Sequence, residues 1–217
     1  MRVETKSAPP SPAELLGDAH SLLEQLGLPD ELAVTGPLTG AMEFSGVRDL
    51  PSLRAFLDTY HAQVLRPIEL PAIVSAYQHA VRGEARELIA LDKSLAQETG
   101  FRDFAAASCR VGQRQLSKLR PLRDQRVVQR YLAAIEAGDA RGWHTLVYGV
   151  SLAMFSLPLR QGLQNYIEQT ARGFIERAAR PLRLSETHVV ELTAHYFLAA
   201  PAAVVRALEA NSALQIS

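Results

Sequence analysis

Few residues in this sequence have the types and spacing that chemistry requires. Cys109 is the single cysteine, and it lies among small residues with no base beside it, so it is expected to act as a small packing residue rather than a nucleophile. His188 and Glu191 are three residues apart, as in the helical pairs of di-iron bundles, but the matching glutamates are missing. Gly36 and Gly40 lack the Lys-Ser/Thr of a phosphate-binding loop. The sequence therefore predicts no catalytic residue, no metal ligand and no cofactor, and it predicts that the protein is not an enzyme.

The charge of the chain is balanced overall but uneven along its length. Residues 1–60 hold 4 basic and 9 acidic side chains, whereas residues 102–130 hold 8 basic and 2 acidic ones. A neutral chain argues against general nucleic-acid binding, which depends on many phosphate contacts. The basic segment fits an acidic partner surface, and it fits equally a solvated face that meets the acidic N-terminal third within the fold.

The spacing of apolar residues predicts helices throughout, because no segment keeps the two-residue alternation of a strand for long. About eight to nine helices with short loops predict an all-α, compact multi-helix bundle. The first predicted helix starts at Ser11-Pro12-Ala13-Glu14 and ends near Gly27, and the next starts at Asp49-Leu50-Pro51 and is broken by Pro67. The later predicted helices span 71–82, 84–98, 101–119, 122–137, 143–156, 158–180 and 185–209.

The predicted organisation is a single all-α domain over residues 12–210. The polar, proline-rich residues 1–11 are expected to be a disordered leader, and residues 211–217 a flexible tail. A lone cysteine fits a reducing compartment, and the apolar run over 196–205 is too short to span a membrane. With no signal peptide at the start, a soluble cytoplasmic protein is predicted.

The predicted helix over residues 101–119 combines small residues with a basic stripe. Arg110, Arg114 and Lys118 follow one another at four-residue spacing, which puts them on one helix face. Ser108 and Gly112 allow another element to come close, either at a dimer or partner surface or at a helix crossing inside the fold. This combination favours a protein that works by contacting other proteins.

The order of several short motifs resembles the urease accessory protein F family. Leu91-Asp92-x-x-Leu95, followed by Ala107-Ser108-x-x-x-Gly112-x-x-x-Leu116, is similar to the central motif of that family. Further matching positions on both sides extend the resemblance over about residues 20–200: Glu43, the run Gly46-Val47-Arg48-Asp49, Leu53, the segment His144-x-x-Val147-x-Gly149, Leu157, Leu163 and Tyr166.

Some positions depart from the family pattern. Residues 34–43 have lost most of the N-terminal motif, and residues 183–186 read Arg-Leu-Ser-Glu where the family has Pro-Leu-Gly-Gln. Ala105 stands where family members carry an arginine, and Leu146 stands where they carry a proline. These departures leave a second interpretation open, in which the chain is a helical protein-binding module of another pathway that kept the fold but lost the urease partners.

The resemblance implies a non-enzymatic helper protein that forms an all-α homodimer. Family members bind the urease accessory D/H protein and the accessory GTPase G, and the assembly delivers nickel to apo-urease while GTP is hydrolysed. The implied function is that of a scaffold in nickel insertion that modulates the GTPase, with nickel passing through the complex. A third interpretation is a helical enzyme or small-ligand binder with a pocket between helices that is lined by His144 and Glu43.

The resemblance and the helix pattern together define two sets of candidate residues. A partner-binding role is predicted for Glu43, Ser108, Arg110, Gly112, Arg114, Lys118 and Tyr166. A structural motif role is predicted for Leu91, Asp92, Ala107, His144 and Gly149. For two members a simpler role is also open, since Tyr166 fits a core aromatic and His144 fits a structural histidine at a helix start.

Overall fold

The computed structural model describes residues 47–214, except for the side chains of residues 101, 103 and 212–214. Within that part the chain is helical and contains no strand, which confirms the predicted all-α bundle. The helices are α1 (Leu50–Tyr60), α2 (Leu70–Arg82), α3 (Ala85–Leu95), α4 (Ala105–Lys118), α5 (Arg126–Glu136), α6 (His144–Met154), α7 (Leu159–Ala179) and α8 (Glu186–Leu214). A π-helical segment (His61–Glu69) joins α1 to α2, and a 3₁₀ segment (Thr99–Phe104) leads into α4.

Three predictions lie outside the described residues. They are the leader over residues 1–11, the helix over residues 12–27, and the partner-binding role of Glu43. The single-domain organisation also stays a prediction, since it includes these residues.

The predicted break of the helix at Pro67 is wrong, because one continuous helical segment, which we call the rod, runs from Leu50 to Arg82. An Asp49–Ser52 capping box starts this rod, where the Asp49 carboxylate accepts the amide of Ser52 at 2.9 Å. Around Pro67 the backbone takes π-helical turns, and the amide of Leu70 donates to Leu65, five residues earlier. A proline interrupts an α-helix because its ring meets the carbonyl four residues back and its amide donor is missing. The wider π turns relieve the clash between the ring and the carbonyl, and the chain continues through Pro67 although the proline still has no amide to donate.

Helix α6 lies at the centre of the bundle. All residues from His144 to Leu152 are buried, as expected for a helix that is apolar on every side. Helices α2 and α4 pack against it. Gly149 allows the crossing with α2, because a Cβ at this position would lie 2.5 Å from the carbonyl oxygen of Ile73. Gly149, which was predicted as a motif residue, therefore lies at a close crossing of α6 with α2.

Helices α7 and α8 form a long antiparallel pair along one side of α2. Helix α8 reaches Leu214, so it extends four residues into the segment predicted as a tail. Asn211 is buried there, and its side-chain amide donates to the hydroxyl of Ser75 on α2 at 3.2 Å. Pro201 lies inside α8 without ending it. This C-terminal region is therefore attached to the bundle at least as far as Asn211.

Helix α8 is long and apolar enough, over residues 186–211, to cross a membrane. The same helix buries Leu192, Tyr196, Ala200 and Val204 within the core. One helix of this kind is weak evidence for a membrane span, because a mostly buried core helix of a soluble protein can have the same length and composition; 28% of this segment is buried.

Candidate functional site

Asp92 holds the loop that leads into α6. It lies on α3 and is fully buried. Its carboxylate accepts hydrogen bonds from the hydroxyl of Tyr131 at 2.6 Å, the amide of Arg141 at 2.6 Å and the amide of Gly142 at 2.9 Å. The indole of Trp143 donates to the Asp92 carbonyl oxygen at 3.0 Å. A buried carboxylate is tolerated only when hydrogen-bond donors surround it. The loop supplies donors to Asp92, and Asp92 in turn fixes the conformation of the loop.

Helix α4 packs onto the same loop through its small residues. The hydroxyl of Ser108 accepts the backbone amide of His144 at 3.1 Å, and it thereby satisfies one of the free donors at the start of α6. One turn later, a Cβ on Gly112 would overlap the carbonyl oxygen of Gly142 and would lie 2.6 Å from the amide nitrogen of His144. Ala107 is buried beside them. The Ala-Ser-x-x-x-Gly motif is therefore the contact surface for residues 142–144 of the same chain.

A second buried polar cluster joins the π-helical segment to α7. Tyr60 donates its hydroxyl to one oxygen of the Glu69 carboxyl, and Tyr166 donates to the other at 3.1 Å. All three side chains are buried. Residues nine apart are two and a half turns apart in an α-helix and would point to opposite sides. The wider π turns bring Glu69 back to the side of Tyr60, which links this cluster to the unbroken helix at Pro67.

Burial raises the pKa of Glu69 to about 7, and the hydrogen bonds from Tyr60 and Tyr166 only partly oppose this rise. Below pH 4.5 this carboxyl is protonated in both the folded and the unfolded chain. Between pH 4.5 and 7 the unfolded chain releases its proton first. The folded state therefore loses stability as pH rises through this window, by up to about 3 kcal/mol from this group.

The variant Glu69→Gln is expected to remove this dependence. Its free energy of unfolding relative to wild type should increase by about 3 kcal/mol between pH 4.5 and 7.5. Urea denaturation at intervals of half a pH unit measures this difference. The control Glu87→Gln changes an exposed residue of α3 and should follow the wild-type profile. If the difference in free energy of unfolding between Glu69→Gln and wild type stayed constant from pH 4.5 to 7.5, the raised pKa of Glu69 would be contradicted.

Two buried histidines have the opposite effect to Glu69 on how the stability of the wild-type protein depends on pH. Burial lowers the pKa of His144 and of His61 to about 4. Such neutral histidines contribute stability above pH 6.5 that is lost as the pH falls to 4. Both ring nitrogens of His144 and Nε2 of His61 are buried without a hydrogen-bond partner among the described residues. The contribution of the histidines is the same in Glu69→Gln and in wild type. It therefore cancels when their free energies of unfolding are subtracted at each pH.

The predicted partner-binding residues separate into an exposed group and a buried group. Arg110, Arg114 and Lys118 are exposed along the outer face of α4, and we call these three residues the basic stripe. Ser108 and Tyr166 are buried within the chain, and Gly112 is covered by the loop before α6. Contact of these three with a partner stays a prediction, as does that of the basic stripe.

Four of the predicted motif residues lie around the loop before α6, whereas Gly149 lies within α6 at its crossing with α2. Asp92 and Ala107 are buried, Leu91 is half-buried at the edge of the core, and His144 is the first residue of α6. The motif order in the sequence indicated that these residues belong together, but it gave no indication of the hydrogen bonds between them. The Tyr60–Glu69–Tyr166 cluster was missed altogether. An isolated Glu69 two residues after a proline gives no sign that it is buried.

Cys109 fits its predicted packing role. It is half-buried, and burial raises the pKa of its thiol to about 11, with a smaller contribution from the negative charge of Asp92. The thiol is therefore protonated at neutral pH and is a weak nucleophile. Among the residues that the structure describes, no group of three or more His, Cys, Asp and Glu side chains is placed to hold a metal ion.

These features define a class of protein: an all-α bundle in which the small and acidic motif residues fix an internal loop rather than line an exposed cleft. A family model described as UreF matches residues 47–196, which is about two thirds of the chain. The chain therefore belongs to the UreF family, a family of urease accessory proteins and not of enzymes. No curated protein matches the chain.

Proposed function

We propose that this protein is a non-enzymatic, cytoplasmic scaffold in urease maturation. It binds the accessory D/H protein and the accessory GTPase, modulates the GTPase, and supports nickel insertion into apo-urease as a homodimer. Nickel passes through the assembled complex. The observation that supports this function best is membership of the UreF family, whose matched region includes the central motif.

The surface chemistry of α4 supports a partner of opposite charge. Arg110, Arg114 and Lys118 are exposed on one face of a helix whose other face is fixed by Ser108 and Gly112. The segment around them, residues 102–130, has a net charge of +6. A rigid helix with a row of cations presents a stable positive potential, which accelerates association with an acidic surface. We assign this stripe to the accessory GTPase.

Reversing the charge of the basic stripe is expected to weaken this complex. In the triple variant Arg110→Glu, Arg114→Glu, Lys118→Glu, the Kd for the GTPase should rise at least tenfold, because attraction between the surfaces becomes repulsion. Titration calorimetry in 50 mM salt measures the Kd. Raising the salt to 300 mM should reduce the difference in Kd between variant and wild type, since exposed charges are screened.

The matched control reverses three exposed arginines of α7 and its C-terminal end, Arg160, Arg177 and Arg180. This variant has the same net charge as the first, so it tests whether position or total charge decides binding. Equal loss of affinity in both variants would contradict the assignment of the stripe. Failure of the wild-type chain to bind the D/H protein and the GTPase at micromolar concentration would contradict the proposed function itself.

A second candidate function is a helical binding module of another pathway. The family match starts at Val47, after the region in which most of the N-terminal family motif has been lost, and it ends at Tyr196. A chain with this function would keep the fold but would not bind the D/H protein. Urease structural genes beside the gene for this chain would argue against it.

A further inference from the structure

Helix α8 has an exposed row of apolar residues along one side. Of the five large apolar side chains that are exposed in the described part of the chain, three lie on this helix, namely Val190 at 61%, Leu198 at 83% and Val205 at 36%. Ala194 and Ala202 lie between them and are also exposed. These five residues follow one another at intervals of three or four and extend for about 22 Å. We call them the α8 stripe.

The α8 stripe lies opposite the side of the helix that packs into the bundle. Leu192, Tyr196 and Ala200 are buried, and the hydroxyl of Tyr196 donates to the carboxylate of Asp58 on α1 at 2.9 Å. Because one turn takes 3.6 residues, Leu198 lies about 160° around the helix axis from Tyr196. The contacts that attach α8 to α1 therefore leave the stripe accessible. An apolar row with polar residues at its edge is typical of a surface that binds another protein.

The charged residues beside the stripe complement a second, antiparallel copy of the same helix. Glu191 lies seven residues before Leu198 and Arg206 lies eight residues after it, and both are on the same side of Leu198 around the axis. In two copies of α8 packed antiparallel about a two-fold axis at Leu198, Glu191 of one copy comes within about 1.5 Å of the level of Arg206 of the other. The two-fold axis repeats this pair, so opposite charges meet twice.

A second pair of residues follows the same relation. His188 lies ten residues before Leu198 and Glu209 lies eleven residues after it, again on the side of Glu191 and Arg206. Two parallel copies would instead place Glu191 beside Glu191 and Arg206 beside Arg206, where like charges repel. The order of charges along α8 therefore favours an antiparallel copy of this helix over a parallel one.

We propose that two copies of this chain associate through the α8 stripe, with their α8 helices antiparallel about Leu198. This assignment rests on the homodimer of the proposed function, to which it gives a surface. Each copy contributes about five apolar residues and their charged edge, against roughly 20 to 30 residues a side in a standard stable interface. The association is therefore weak, with a Kd in the micromolar range.

Sedimentation velocity of the full chain, at concentrations from about 1 to about 200 μM, measures this Kd. In Leu198→Glu two carboxylates meet at the centre of the apolar contact, so the Kd for dimerisation should rise at least tenfold. The control Val81→Glu adds the same charge on α2, at a position that is 61% exposed, and should change the Kd less than twofold. Both positions are exposed, so neither substitution is expected to unfold the bundle.

A charge exchange tests the antiparallel register. Glu191→Arg alone and Arg206→Glu alone should each raise the Kd about threefold or more at 50 mM salt, because like charges then meet at both two-fold-related pairs. In an equal mixture of the two variants, a heterodimer with nearly the wild-type Kd should form. In that heterodimer one native pair is restored, and the two introduced charges attract each other.

The outcomes separate this proposal from the proposed function. A chain that stays monomeric up to about 200 μM, or that is recruited to lipid vesicles instead of dimerising, would overturn the pairing. A dimer whose Kd is unchanged in Leu198→Glu would overturn the assignment of the α8 stripe and leave the homodimer itself standing. Dimers that depend on Leu198, in a chain that binds neither the D/H protein nor the GTPase, would support the pairing and contradict only the proposed function.

Discussion

Replacing Asp92 with alanine is expected to lower the free energy of unfolding by about 4 kcal/mol. The substitution leaves three donors without an acceptor, namely the buried Tyr131 hydroxyl, the buried amide of Gly142 and the partly buried amide of Arg141. Each buried unpaired donor costs about 1–3 kcal/mol, and partial entry of water reduces the total. Urea denaturation followed by the fluorescence of Trp143, which is bound to the same residue, measures the loss.

Two further variants separate the hydrogen bonds from the general effect of mutation. Asp92→Asn keeps one acceptor oxygen but turns an NH₂ group towards amide donors, so an intermediate loss of about 2 kcal/mol is expected. Asp139→Ala removes an exposed carboxylate that lies 3.9 Å from Lys93, and it should change stability by less than about 0.5 kcal/mol. A loss below 1 kcal/mol in Asp92→Ala would show that the loop does not depend on this carboxylate.

The helices of this fold follow from local signals in the sequence. The apolar spacing and the capping residues, such as Asp49 before α1, act within a few residues and can be read directly. The interruption predicted at Pro67 was wrong because a general rule about α-helices was applied to a segment that forms π turns. Those turns bring Glu69 into hydrogen-bond contact with Tyr60 and with Tyr166 of α7, and Tyr166 is far from both in sequence.

The sequence predicted part of the membership of the candidate site but not its geometry. The family motif placed Asp92, Ser108 and Gly112 in one group, and the structure brings all three to the loop before α6. Their partners in the loop are mainly backbone atoms. Since every residue has the same backbone atoms, the amino-acid sequence does not indicate which of them make a contact. The same limit explains why Ser108 and Gly112 fitted a partner surface as well as an internal contact. Only the packing of α4 on residues 142–144 distinguishes the two.

The internal role of these motif residues affects what the outer face of α4 can do. Helix α4 is fixed to the loop by the Ser108 hydrogen bond and by the close approach at Gly112. The position of the basic stripe on the opposite face therefore depends on residues that no partner needs to touch. A change at Gly112 is consequently expected to lower the stability of the protein directly, and to weaken partner binding only because α4 moves.

Replacing Gly112 with alanine is expected to destabilise the protein by about 3 kcal/mol, even after the gain in helix propensity of about 1 kcal/mol. The added Cβ would overlap the carbonyl oxygen of Gly142 and approach the amide nitrogen of His144 and the carbonyl carbon of Trp143. These are backbone atoms, which cannot rotate away as the end of a side chain can. Helix α4 must therefore move outward, which stretches the Ser108 hydrogen bond to α6. Urea denaturation measures the stability change, and amide exchange at His144 reports the weakened hydrogen bond.

The control Gly100→Ala makes the same chemical change where space exists. A Cβ at Gly100 would meet the Cδ1 atom of Ile68 at 3.4 Å, an ordinary contact with a side-chain end, so a change below about 0.5 kcal/mol is expected. If Gly112→Ala is destabilised while Gly100→Ala is not, the cause is the backbone contact rather than glycine as such. If the basic stripe binds the accessory GTPase as proposed, Gly112→Ala should then also bind it more weakly, although its charge is unchanged, because the basic stripe moves with α4. Wild-type stability in Gly112→Ala would mean that α4 and the loop are not in close contact in solution.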